Sequence, residues 1–413
     1  MWALQDARLA DGSVVDITID GPFISAVGPG ASSAEGEVVD CRGRLVLPAF
    51  TDAHIHLDKV LIRDDLPEPD GTLAGAIDAT HGRKRRYTVD DVRARARGVI
   101  EESVRLGTTR LRSHVDVDTI GGLLPLEGVM AAAADCEDIA EVQTVAFPQE
   151  GLLRDPGAYE LMERALEAGA DVVGGMPHWE LDEDAQRAHV RLCFDLAERF
   201  DRDLDMHVDE TDDGAVRTLE MVADEALRRG FVDRVCAGHV CALAAADQDY
   251  ADRVIEKCLR AGISIAANAV TNLVLQGRSD RGIIRRGTTR IAELRTAGVN
   301  VFFGQDCIKD GFYPFGRGSM LEVALISAHA AHLTTRADLD FALRAISDAP
   351  ARAMRSSAHG LRDGAPADMQ LLPVSSWSEA LRTQALPEKV WFRGRLVAAN
   401  AVRSEIYRAL PAD

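Results

Sequence analysis

Between residues 47 and 306 the chain repeats one pattern, a short apolar and β-branched run followed by a longer stretch rich in Ala, Leu, Arg and Glu. Eight such runs are centred on residues 47–56, 109–117, 141–149, 171–178, 204–210, 234–240, 263–270 and 299–306. Strands alternating with helical segments predict βαβ units and a parallel sheet, and eight of them in succession predict a closed (β/α)8 barrel. The intervening segments carry a 3.6-residue stripe. In "DVRARARGVIEESVRLG", Val92, Val99, Ile100 and Val104 share one face, and Gly107 marks the stop.

The two ends of the chain read differently. Residues 1–46 and 364–413 hold short alternating strands separated by Gly, Pro and Asp turns, and both contain the string "RGRLV", at 42–46 and 393–397. Neither end has enough strands to bury a face alone, so the pattern predicts a small β-sandwich domain formed by both termini, with residues 47–363 as the barrel.

Composition narrows the partners. Lys and Arg total 47 against 66 Asp and Glu, a net charge of −19 without an acidic tail, which argues against nucleic-acid and anionic-membrane partners. The basic run "GRKRR" at 82–86 reads as a solvated face. Seven cysteines at irregular spacing with no CxxC pair read as reduced thiols of a cytoplasmic protein, and neither a secretory leader nor an apolar membrane-length segment is expected.

In a barrel, chemistry collects at the C-terminal ends of the strands. The first run ends in His54 and His56, the second carries His114 and Asp116, and the third ends in Gln149. His178, then His207 with Glu210, His239, Asn268 and Asp306 end the remaining five in order. Positions 54 and 56 share one strand face, so both project into the mouth. With His207 and Asp306 they offer three nitrogens and one oxygen, a set that suits one divalent ion, zinc or iron, with an open position. His239 then falls outside that shell as a catalytic neighbour, and Glu210 stands where a carboxylate can move protons without binding metal. His114, Asp116, His178 and Asn268 read equally well as core or supporting polar residues.

Together the motifs "DAHIHLDK", "SHVDVD", "VAFPQEG", "GADVVGGMPHWE", "HVDETDD", "NLVLQGR", "RRGTTRI", "FFGQD" with "YPFG", and "GLRDGAPADMQLLP" resemble the amidohydrolase superfamily, within it the bacterial cytosine deaminase type, over nearly the whole length. The resemblance implies a hydrolase of carbon–nitrogen bonds in cyclic amidines, acting on a small heterocycle of the cytosine, 5-methylcytosine, isoguanine, creatinine or pterin class. It implies metal ligation by His54, His56, His207 and Asp306, proton transfer by Glu210, and polarisation of the new oxygen by His239. Gln149 and the "GTL" loop at Leu73 would contact substrate, and a homo-oligomer is implied. Cytosine deaminases usually carry Asp and Trp where this chain has Cys307 and Phe312, which become expected pocket residues. They also read HLDT where Lys59 gives "HLDK", similar to the branch that removes substituted amines from triazine rings. The alternatives are therefore that triazine-type hydrolysis or a cyclic amidohydrolase. Dinuclear ring-opening members use a strand-four lysine, and "DVVGGMPH" has none.

Overall fold

The computed structural model describes residues 1–31, 36–67, 72–285, 287–356 and 359–407. The N-terminal portion forms β1 (Trp2–Arg8), β2 (Val14–Asp20), β3 (Phe23–Gly28), β4 (Val38–Asp40) and β5 (Leu45–Pro48). Eight strands of a second sheet follow, β6 (Phe50–Ile55), β7 (Thr108–Asp116), β8 (Glu141–Phe147), β9 (Val172–Gly175), β10 (Asp203–Val208), β11 (Val235–His239), β12 (Ser264–Ala267) and β13 (Val301–Phe303). The chain ends in β14 (Met369–Leu372), β15 (Lys389–Phe392) and β16 (Arg395–Ala399).

Strands β6 to β13 pair in sequence order, all parallel, with helices between them. The ring closes between its first and last strands where Ile55 bridges Asp306. There His56 N donates to Asp306 O over 3.0 Å and Asp306 N to His54 O over 2.7 Å. Closure of the barrel and placement of three expected metal ligands are thus one set of hydrogen bonds.

The run 47–56 becomes two strands. Pro48 lacks an N–H and ends β5, Ala49 N turns to Asp368 O, and Phe50 N turns to Gly107 O to begin β6. From the third onward the runs are longer than their strands, because their ends leave the sheet. After β12 the residues 269–275 form a helix, and after β9 the residues Pro177–Trp179 form a 3-10 turn.

The helix Val89–Arg105 shows why the stripe works. Thr88 caps it by accepting from Asp91 N, and Val92, Val99, Ile100 and Val104 are buried against the barrel. Gly107 takes φ +94°, and a Cβ there would lie 2.2 Å from Gln370 Oε1, so glycine both stops the helix and lets β14 approach.

Both termini build the other sheet, in the order β16-β15-β14-β5-β1-β2-β3 with β4 beside β1. Its own core holds Leu4, Ile17, Ile19, Val46, Met369 and Trp391. Trp2 stacks on Trp391 at 5.5 Å between ring centroids, joining first strand to last portion. The repeated "RGRLV" has one physical cause: Arg42 and Gly43, like Arg393 and Gly394, all take positive φ, the two-residue reversal that feeds a following strand. All seven cysteines are buried free thiols. Among the described residues no helix is long and apolar enough to cross a membrane.

Candidate active site

The cavity at the barrel mouth is lined by His56, Lys59, Gln149, His207, Glu210, His239, Thr271, Leu275, Asp306, Cys307 and Phe312. His54 lies beneath it, fully buried. Two glycines make room for that ring. A Cβ on Gly238 would sit 2.6 Å from His54 Cε1, and one on Gly304 would sit 2.7 Å from His54 Cβ.

His56 Nε2 stands 3.1 Å from His207 Nε2 and 3.3 Å from Asp306 Oδ1, while His54 Nε2 stands 3.5 Å from the same oxygen. His54 Nε2 and Asp306 Oδ2 are buried without a hydrogen-bonding partner. Lone-pair atoms gathered at this spacing, two of them otherwise unsatisfied, fit a cation at their centre. His239 belongs to this crowd too, since His54, His207, His239 and Asp306 each offer a donor atom within 4.8 Å of the others. Burial drives His56 and His239 down to about 3, and pushes His207 below the imidazole range, so these rings are neutral and available as ligands. Burial opposes the charge on Asp306, but the surrounding histidines hold it well below the usual carboxylate range.

Neighbouring bonds fix the rings. His56 Nδ1 lies 3.1 Å from the His114 carbonyl, which turns Nε2 toward the cluster. His114 itself sits lower in the barrel, its ring centroid 4.2 Å from that of His54 and its Nε2 3.1 Å from Asp205 Oδ1. Asp205 is in turn bound by Arg112 at 2.9 Å. His178 is in the Pro177–Trp179 turn and does not line the cavity.

Several of these side chains are aimed by unusual backbone. Asp209, His239, Val240 and Asp306 all take positive φ, between 50° and 70°, at the ends of β10, β11 and β13. Such conformations cost on the order of 1–3 kcal/mol each and persist where surrounding bonds enforce them. At Asp209 the side chain accepts from Thr218 N, Thr218 Oγ1 and Leu219 N, which turns it away from the cavity and leaves Glu210 facing it.

Glu210 Oε1 lies 3.3 Å from His239 Nδ1. Asn272 Nδ2 reaches both, at 3.4 Å and 3.1 Å, and Asn268 Nδ2 lies 3.3 Å from the other nitrogen of His239. Burial, then the charge of Asp306, push Glu210 well above the usual carboxyl range, which favours its protonated form.

The pocket wall departs most from sequence expectation at Lys59, whose role the pattern left open. Its ammonium is buried, donating to Asp116 Oδ1 at 2.7 Å and Gln149 Oε1 at 3.0 Å, with Phe312 5.6 Å away. Burial opposes the charge, but Asp116 and Asp58 outweigh it and hold Lys59 above the ordinary lysine range. Lys84 completes the chain from the helix Leu73–Lys84, 2.5 Å from Asp116 and 2.6 Å from Asp118. The run "GRKRR" is therefore not simply a solvated face, since Lys84 turns inward to two carboxylates. Cys307 and Phe312 do line the cavity, and Thr271 and Leu275 join them from the helix Ala269–Leu275, Leu275 from the motif "NLVLQGR" and Thr271 from the position just before it, neither with a role assigned from sequence. Leu73 opens its helix, and its side chain lies outside the described residues.

Comparison with known proteins agrees with this geometry. The chain is 33% identical to a pterin deaminase of Rhizobium rhizogenes over 95% of its length and 87% of that protein. It is 27% identical to the N-isopropylammelide isopropyl amidohydrolase of a Pseudomonas species, over 97% of each. The crystal structure of 5-methylcytosine deaminase from Klebsiella pneumoniae liganded with 5-fluorocytosine superposes with a TM-score of 0.94 at 36% identity, covering 98% of this chain and 99% of that one. The profile of the amidohydrolase family matches residues 37–127 and 61–398, and the chain belongs to that family.

Proposed function

We propose that this protein is a metal-dependent hydrolytic deaminase that releases ammonia from a small aminated heterocycle, one that carries an oxo group or other acceptor beside the amine. The observation that supports it most is Glu210, a buried carboxyl beside His239 and the His/Asp cluster, in surroundings that favour its protonated form. A purely structural metal site has no use for such a group.

His54, His56, His207 and Asp306 would hold one divalent ion, zinc or iron. Bound there, such an ion would bring the pKa of water toward 7 and supply Lewis acidity. Asp306, kept ionised, accepts the proton of the attacking water. Glu210 delivers its proton to the ring nitrogen next to the amine-bearing carbon, then passes the proton of the new hydroxyl to the amine, which leaves as ammonia, and the proton taken up by Asp306 restores Glu210. His239, held at Nδ1 by the Asn272 amide, would bind the oxygen newly joined to carbon. Water thus supplies the oxygen of the product, one C–O bond forms and one C–N bond breaks.

Gln149 and Lys59 support the choice of ring. Lys59 is only a donor, so it fixes Gln149 Oε1 toward itself and leaves the amide N–H groups for Met176 Sδ, at 3.4 Å, and for substrate. That wall offers donors, and it recognises an acceptor rather than an N–H. Cys307, its thiol held protonated by burial, and Phe312 form a less polar side that admits a methyl-sized substituent.

The test is ammonia release by metal-loaded protein from cytosine, 5-methylcytosine, isoguanine, creatinine and a pterin, with 2,4-diaminopyrimidine as a ring without an oxo group. Ammonia is expected from an oxo-bearing ring and not from the diamine. Silence across the whole panel contradicts the deaminase reading, and preference for the diamine contradicts the reading of Lys59 and Gln149.

A further inference from the structure

Gln149 stands on the short segment 148–153 that follows β8, where Gln149 N donates to Phe147 O and Gly151 N to Pro148 O. Further bracing comes from outside. The helix Glu183–Phe200 carries His189, fully buried, whose two ring nitrogens are both engaged. Nε2 accepts from Met176 N at 2.9 Å, and Nδ1 lies 2.7 Å from Glu180 Oε1. The same Glu180 oxygen accepts from Leu152 N at 2.7 Å and Leu153 N at 3.0 Å. One carboxylate oxygen therefore gathers an imidazole N–H and two loop amides, and the imidazole holds the end of β9.

Both grips converge on Gln149. Glu180 fixes the loop three and four residues beyond it, and His189 fixes Met176, whose sulfur accepts from Gln149 Nε2. Gly151 lets the carboxylate approach, because a Cβ there would lie 2.9 Å from Glu180 Oε1 and its φ is +90°. From this arrangement we infer that Glu180 and His189 are a positioning pair that sets Gln149 for substrate recognition, an inference that rests on the proposed role of Gln149. Burial opposes the charge on Glu180, while His189 and the loop amides hold it below the usual carboxyl range; burial lowers His189, which stays neutral with its proton on Nδ1. The pair thus keeps one protonation pattern and one geometry near neutral pH.

A merely structural pair would cost stability without caring whether Gln149 is present. The test is a double-mutant cycle of Glu180→Gln and Gln149→Ala in the metal-loaded full-length protein, with hydrogen exchange of residues 148–153 read alongside ammonia release from 5-methylcytosine. Glu180→Gln keeps an acceptor but weakens a charge-assisted knot, so the amides of Leu152 and Leu153 are expected to exchange faster. KM is expected to rise on the order of tenfold, with kcat and metal content changed far less, and that rise should vanish when Gln149 is already alanine. Unchanged exchange at 152 and 153, or an equal KM penalty in both backgrounds, overturns the pair as a positioning device. If Gln149→Ala alone leaves KM unchanged, the reading of Gln149 has failed instead. If 5-methylcytosine releases no ammonia, its choice as substrate has failed and the exchange measurement decides the pair. Should Glu180→Gln not fold, the same cycle on His189→Gln carries the test.

Discussion

Asn272 Nδ2 lies 3.1 Å from His239 Nδ1 and 3.4 Å from Glu210 Oε1, so a single amide spans the two groups assigned to move a proton and to hold the new oxygen. Replacing it with alanine removes the amide that holds the His239 ring at Nδ1 beside Glu210. Turnover of Asn272→Ala is expected to fall about tenfold, the equivalent of one hydrogen bond of roughly 1.4 kcal/mol, while metal content stays at the parent level. Steady-state ammonia release with metal analysis checks it, and a variant that lost its metal would place Asn272 in a supporting role for ligation.

Lys59 should separate recognition from chemistry. Lys59→Met leaves Asp116 still paired with Lys84, so the stability loss stays below the roughly 3–5 kcal/mol of a buried charge left alone. KM for an oxo-bearing ring is expected to rise tenfold or more, on the order of a lost charge-assisted bond, as Gln149 gains freedom to turn its oxygen inward. Urea unfolding and kinetics on the same preparation measure the two effects, and an unchanged KM contradicts the donor wall.

Beneath the histidines, Arg112, Asp205 and His114 form a buried series at 2.9 Å and 3.1 Å. Asp205→Ala strands the Arg112 cation in the barrel, at a cost of about 3–5 kcal/mol. Loss of the bond that seats His114 under His54 should also weaken metal affinity on the order of tenfold or more. Thermal unfolding and competition with a chelator test both; full stability in the variant would contradict the burial of a charged pair.

Asp310 gives a pH signature away from the ligands. Burial raises its carboxyl to about 6, although Phe312 N and Tyr313 N donate to it. An unfolded aspartate titrates near about 3.9. Between those two values the folded chain keeps a proton that the unfolded chain has released, so this group's contribution to stability falls as pH rises through that window. Asp310→Asn keeps the acceptor and removes the titration. It is expected to melt above the parent at pH 7.5, with the gap closing by pH 4, and a gap independent of pH would contradict the assignment.

The barrel was legible because its strands repeat a burial pattern, and His54 and His56 were legible because a spacing of two fixes a common face. What the pattern could not carry were pairings across the sequence. Lys59 and Gln149 are ninety residues apart and meet only after β6, β7 and β8 have closed side by side. Lys84 looked like part of a basic surface because helical position alone does not reveal a carboxylate buried opposite. His189 occupies an ordinary inward position of an amphipathic helix, and its bonds to Met176 and Glu180 leave no periodic trace. His178 illustrates the converse, a histidine at a predicted strand end that sits in the turn after β9 and does not line the cavity.

Glu210→Gln is the variant that bears most directly on the chemistry, because glutamine preserves size and hydrogen bonding while it cannot carry the proton. Metal content and ammonia release measured on the same sample should show metal near the parent value and turnover lower by on the order of a hundredfold or more. Loss of metal would make Glu210 a ligand, and undiminished turnover would remove it from proton transfer; either result contradicts the mechanism.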